Sequence, residues 1–128
     1  MIFIIGGYGQ GKLNYVKHAY AVREENIFCG SVPKLDEAIS EEAIVIAQFN
    51  RIAENRMRQG ADAMELVEQL IKKYPNCIII SDEIGNGIVP MDAEERRLRE
   101  EIGRLQIQIA QLADEVVRVI CGLGQKIK

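Results

Sequence analysis

Five apolar runs divide the chain, and most show no alternation of polar and apolar positions. The first, Ile2 to Ile5 (IFII), is solidly hydrophobic, as expected of a strand buried on both faces. A glycine-rich turn follows at once. From Lys12 to about Arg23 the spacing of Leu13, Val16, Ala19 and Tyr20 predicts an amphipathic helix. NIFCG, residues 26–30, reads as a short second strand and GSVPK as a loop. LDEAIS, residues 35–40, reads as a brief helical turn, and the run Ala43 to Phe49 (AIVIAQF) as the third strand. Arg51 to Tyr74 is helical in pattern, interrupted at Gly60 and stopped by Pro75, with Met64, Val67, Leu70 and Ile71 on one stripe. Cys77 to Ile80 (CIII) is a fourth buried strand. IGNGIVP, residues 84–90, is a Gly-rich ordered surface loop closed by Pro90. A long helix is predicted over about Asp92 to Ala113, with Leu98, Ile102, Leu105, Ile109 and Leu112 at 4,3,4,3 spacing. EVVRVIC is the fifth strand, and QKIK adds a short last one.

Strands that alternate with helices, each strand a solid apolar run, predict an α/β fold with a mainly parallel sheet covered on both faces. With no internal repeat and no linker, the 128 residues read as a minimal single domain, 1–128, small for a complete nucleotide enzyme.

The turn after the first strand carries the most specific chemistry. GGYGQGKL places Gly6, Gly11 and Lys12 at the spacing of a phosphate-binding P-loop. Glycines there let successive N–H groups point inward, the helix N-terminus adds a positive dipole, and Lys12 brings a full charge to the β- and γ-phosphates. The nucleotide-binding stretch is accordingly Gly6, Gly7, Tyr8, Gly9, Gln10, Gly11, Lys12 and Leu13. Leu13 departs from the pattern, because the Ser or Thr of such loops contacts Mg²⁺. Asn14 has a carbonyl oxygen, but one residue further along a helix it is turned about 100° away.

The fourth strand ends in Ser81, Asp82 and Glu83. Carboxylates at a strand's carboxyl end hold a metal or orient an attacking group; equally, Asp82 caps the following turn and Glu83 is solvated. On the first reading Lys12 and Glu83 are the catalytic candidates and Asp82 the metal candidate. His18 has no Cys or acidic residue at metal-ligand spacing and reads as a surface or partly packed histidine. EERRLREE on the long helix reads as a solvated face with i,i+4 pairs, with Arg96, Arg99 and Arg104 as the alternative reach toward phosphates or a neighbouring subunit.

Composition narrows the options. With 48% hydrophobic and 27% charged residues and a net charge of −3, the chain has no global field for nucleic acid or an anionic membrane, so a bound anion must be held by local geometry. No apolar run approaches the roughly 20 residues of a membrane span. Cys29, Cys77 and Cys121 lie far apart inside or beside apolar runs, which reads as buried free thiols in a reducing cytoplasm.

GGYGQGK together with DEIGNGIVP, GRLQ, ADEV and the ending GLGQKIK resembles the bifunctional adenosylcobinamide kinase and adenosylcobinamide-phosphate guanylyltransferase family of cobalamin biosynthesis. The likeness runs from Ser81 to Lys128 and takes in Glu83, Gly85, Gly87, Pro90, Arg99, Arg104, Asp114 and Lys126. It implies a RecA-like P-loop fold, GTP or ATP at Gly6 to Lys12, a corrinoid substrate, and a homotrimer whose subunits help build one another's sites. Family members phosphorylate the cobinamide hydroxyl and then transfer GMP through a covalent histidine. Here the helical segment bearing that histidine is missing, and no histidine follows His18. The acidic residue expected at the end of the third strand is replaced by Ala47. Together with Leu13 these departures predict a nucleotide-binding relative whose guanylyl transfer is lost, whose kinase activity is weakened or lost, and whose Mg²⁺ is weakly held. A residual cobinamide kinase and a structural oligomer with an empty loop are the other readings.

Overall fold

The computed structural model describes residues 1–36, 38–84 and 92–128. Among the described residues the chain forms one six-stranded sheet in the order β2-β3-β4-β1-β5-β6. At its centre β1 (Ile2–Gly6) runs parallel to β4 (Ile78–Asp82) on one side and β5 (Glu115–Ile120) on the other. β3 (Val45–Ala47) extends the parallel set beyond β4, and β2 (Ile27–Cys29) forms that edge. Only β6 (Leu123–Lys126) is antiparallel, folded back on β5. The expected mainly parallel α/β architecture is therefore the observed one.

The alternation within β1 assigns the two faces. Phe3 lies level with Ile79 and Val116 and joins the larger apolar cluster. That cluster is completed by α2 (Phe49–Arg58), α3 (Ala63–Lys73) and α4 (Ala93–Leu112), through residues such as Phe49, Leu66, Leu70 and Ile109. Ile4 lies level with Ile80 and Val117 in a second cluster, closed by Val16 of α1 (Lys12–Ala19). Unbroken apolar strands are needed because both faces are covered.

Several boundaries differ from expectation, each for a tertiary reason. α1 stops at Ala19 rather than near Arg23. Tyr20 turns extended and its hydroxyl donates to Glu115 Oε1 at 3.0 Å, pulling the chain back over the sheet. Burial and the neighbouring carboxylate both push the Tyr20 phenol well above its usual range. The third strand is only three residues long, because Gln48 adopts a left-handed conformation (φ 58°) that starts α2 at Phe49. The described part of the 35–40 segment is irregular and forms no helical turn. Gly60 ends α2 as anticipated, and the Asp62 side chain accepts the Met64 N–H at 2.9 Å to start α3. On α4 the residues Leu98, Ile102, Leu105 and Ile109 are buried, whereas Leu112 is 52% exposed. The Gly-rich loop read over 84–90 lies, beyond Ile84, outside the described residues.

The cysteines separate. Cys77 is buried just ahead of β4, but Cys29 and Cys121 are exposed, contrary to the expectation that all three are core thiols. Their edge positions explain this: one ends an edge strand, and the other sits in a hairpin turn. Burial pushes the Cys77 thiol up to about 11. A thiol-specific chromogenic reagent at pH 8 should therefore modify two cysteines per chain rapidly and the third only on unfolding. Rapid reaction of three would show that β4 opens far more readily than its burial implies.

Candidate functional site

The carboxyl ends of β1, β3 and β4 lie together at one edge of the sheet, where the strand-to-helix turns of such folds gather ligands. β1 leads straight into the glycine-rich turn. Gly6 must be small: a Cβ added there would stand 2.5 Å from the Val119 carbonyl oxygen and 3.3 Å from the Lys12 side chain. Gly11 occupies the N-cap of α1 with φ 84°, which favours glycine, and no side chain caps the helix. Among the described residues, no acceptor is found for the N–H groups of Gly9, Gly11, Lys12 and Leu13. The first turn of α1 thus presents unbonded donors and the positive end of its dipole.

The turn is braced from outside. The β5–β6 hairpin is closed by Cys121 and Gly122, both at positive φ, as a two-residue hairpin of this twist requires. The Gly122 N–H donates to the Gln10 carbonyl at 2.7 Å, and the Cys121 N–H donates to Gln10 Oε1 at 2.8 Å. One glutamine therefore fastens the tip of the turn to a hairpin more than a hundred residues away in sequence.

Lys12 is almost wholly buried. Its Nζ donates to the Gly7 carbonyl at 2.7 Å and lies 2.7 Å from Asp82 Oδ1, at the end of β4. Asp82 is in turn held by its backbone. Its N–H donates to Asn50 Oδ1 at 3.2 Å, and Gln106 Nε2 donates to its carbonyl at 2.7 Å and to Ser81 Oγ at 3.0 Å. These bonds leave the Asp82 carboxylate at the opening, where it pairs with Lys12 instead of capping a turn.

Lys12, Leu13, Ala47, Gln48, Arg51 and Asp82 all border one cleft of about 260 Å³. That volume suits a polyphosphate chain better than a whole nucleotide, since drug-sized ligands usually occupy about 300–1,000 Å³. A hollow of about 460 Å³ lies against α4 near Met57, Met64 and Arg104, but of its two carboxylates Asp62 is already bonded as the cap of α3 and Glu101 is paired with Arg97. Arg96, Arg99 and Arg104 do not border the cleft with Lys12.

Of the residues singled out from sequence, the structure brings together Lys12, Leu13, Asp82 and the turn from Tyr8 to Gly11. It does not bring Glu83 with them. Side chains of consecutive strand residues point to opposite faces, and the Glu83 carboxylate meets Arg118, with distances of 2.5 Å to Nε and 3.1 Å to Nη2. This partner keeps the Arg118 guanidinium charged beyond its already high ordinary range. Asn14, expected to face away, borders the same cleft beside Leu13, while His18 is exposed with Nδ1 2.8 Å from the Asn14 carbonyl. Gln10 as a brace, Asn50, Gln106, Gln48 and Arg51 were not identified from sequence. The string QFNR directly after an apolar run was the available signal, since polar residues at a strand's carboxyl end cluster around ligands.

The donor set does not fit a tightly held magnesium ion, which needs near-octahedral oxygen ligands. Leu13 and Ala47 offer none, and Asp82 is engaged by Lys12. Among the described residues no group of three His, Cys, Asp or Glu is placed to hold a metal, and no helix is long and apolar enough to cross a membrane.

A model of the family described as cobinamide kinase / cobinamide phosphate guanyltransferase matches residues 32–127. Over 68 residues the chain is 41% identical to the bifunctional adenosylcobalamin biosynthesis protein CobU of Salmonella typhimurium (strain LT2), covering 52% of this chain and 38% of that protein. Over 66 residues it is 36% identical to the protein of the same description from Escherichia coli (strain K12), covering 48% of this chain and 36% of that protein. The matched stretch thus spans well under half the length of these relatives.

Proposed function

The chain belongs to the cobinamide kinase / cobinamide phosphate guanyltransferase family, and on that premise we propose that it binds GTP or ATP through the turn Gly6 to Leu13 as a P-loop. It acts as one nucleotide-binding domain whose guanylyl transfer is lost and whose kinase activity is weakened or lost. The observation that carries this reading is the buried Lys12 ammonium at the uncapped start of α1, among unbonded backbone N–H groups. That arrangement supports phosphate binding. Leu13 and Ala47 on the same cleft support the loss of chemistry, because neither can help hold the metal that neutralises charge during phosphoryl transfer. The absence of any histidine beyond His18 supports the loss of guanylyl transfer through an internal histidine.

Calorimetric titration with ATP, GTP and GDP tests the reading, and a failure of all three to bind rejects it. A second reading, residual phosphorylation of a cobinamide hydroxyl, is favoured by one feature: a carboxylate, Asp82, is still placed beside Lys12 at the cleft. Glu83 enters that chemistry only by leaving Arg118, so its part is beside the cleft unless the pair opens. Product formation from ATP or GTP with cobinamide and Mg²⁺, no greater than that of a Lys12→Ala control, excludes this second reading.

Cytoplasmic location and a corrinoid ligand belong to the same proposal, as does assembly into a homotrimer. Assembly draws support from Ile120, Leu123 and Ile127, large apolar residues exposed along the β5–β6 hairpin. Light scattering should give a mass near three times 14.4 kDa; a monomer at micromolar concentration argues against assembly.

A further inference from the structure

A nucleotide polyphosphate held at Lys12 carries more negative charge than this cleft is equipped to balance. Lys12 is matched by Asp82, and the positions that would recruit a divalent cation are Leu13 and Ala47. One further cation borders the cleft. Arg51 sits in the first turn of α2 and is exposed, and among the described residues its guanidinium has no ion-pair or hydrogen-bond partner. Arg58, Arg97 and Arg118, by contrast, are held by Glu54, Glu101 and Glu83, and Arg96 and Arg104 do not border this cleft.

The backbone around Arg51 faces the same way. α2 is entered through its N-cap Gln48, a non-glycine residue held at φ 58°, and no side chain caps it. Such strain persists where surrounding structure enforces it and concentrates at ligand sites. Gln48 and Ala47 both border the cleft, so the N-terminus of α2 opens onto it as that of α1 does. A guanidinium on that turn adds a permanent charge and a planar fork that matches phosphate oxygens.

We propose that Arg51 supplies the counter-charge to the bound polyphosphate that a divalent cation would otherwise supply, so that the cleft takes the metal-free nucleotide. This rests on the phosphate-binding reading above and assigns its charge balance to a residue outside the P-loop pattern. The substrate class is a nucleoside triphosphate without its magnesium ion.

The test is titration of the full chain with ATP and GTP, once in EDTA and once in excess Mg²⁺, for wild type, Arg51→Gln, Arg51→Lys and Lys12→Ala. Wild type should bind in EDTA at least as tightly as with Mg²⁺. Arg51→Gln should weaken binding in EDTA about tenfold, the usual scale for one charge-assisted contact. Arg51→Lys should recover part of that loss, and the thermal midpoints of both Arg51 variants should match wild type because the side chain is exposed. If Arg51→Gln binds as wild type in EDTA while Lys12→Ala does not bind, Arg51 is a solvated surface residue and the proposal fails, though the phosphate-binding reading stands. Wild-type binding only in the presence of Mg²⁺ overturns it equally. No binding of either nucleotide to wild type overturns both.

Discussion

Replacing Lys12 by alanine is expected to weaken ATP and GTP binding about a hundredfold, the largest effect on binding of any single side chain in the cleft. Two changes act in the same direction. The ammonium that would meet the phosphates is lost, and the Asp82 carboxylate, 2.7 Å from it in the intact protein, is left facing an anion without its partner. A charged hydrogen bond contributes about 1.5–3 kcal/mol, and an uncompensated carboxylate adds repulsion, which together correspond to about two decades in affinity. The double variant Lys12→Ala with Asp82→Asn separates the two contributions. It should recover part of the lost affinity, because the repulsive charge is gone while the missing attraction is not. Titration calorimetry measures both; a Lys12→Ala protein that binds as wild type would remove the phosphate site from this turn altogether.

The largest stability effect is expected at Phe49. Its side chain is 1% exposed and packs in the cluster formed by α2, α3, α4 and the sheet. Truncation to alanine leaves a cavity that close-packed neighbours fill only in part, at a cost of about 3–5 kcal/mol. For a chain of this size that corresponds to a fall in Tm of roughly 10–20 °C. Phe49 also anchors the turn that carries Gln48, Asn50 and Arg51, so nucleotide affinity should fall in the same variant. Thermal and urea unfolding followed by circular dichroism gives the first quantity. A loss below about 1 kcal/mol would mean that the first turn of α2 is held by other contacts.

Phe49 also marks where the chain's pattern misleads. It closes an apolar run that began at Ala43, so it looks like the end of a strand. The strand stops at Ala47, Gln48 turns through a left-handed conformation, and Phe49 enters the core from a helix. An apolar residue announces burial but not the element that delivers it, so boundaries shift wherever a turn falls inside a hydrophobic run. Tyr20 shows the reverse case. It continues the helical pattern of α1, yet its bond to Glu115, a residue of β5, ends the helix four residues early. Cys29 and Cys121 fit apolar segments in sequence and lie at exposed edges in space.

Local sequence carries the five parallel strands, the alternation with helices, the helix stop at Gly60 and the glycine spacing from Gly6 to Lys12, because each depends on neighbours within a few residues. The loss of a hydroxyl at Leu13 and of an acid at Ala47 is legible for the same reason. The site itself depends on sheet order. Only the placement of β4 beside β1, with Gly6 level with Asp82, brings Lys12 to a carboxylate seventy residues away. Strand parity then sends Asp82 to the cleft and Glu83 to Arg118, although the two are adjacent in the chain. The brace from Gln10 to the β5–β6 hairpin and the placement of Arg51 and Lys12 on one cleft have the same origin. Pattern along a chain records how each residue meets the core, whereas which distant ends meet at one edge is set by the hydrogen-bonded register between strands.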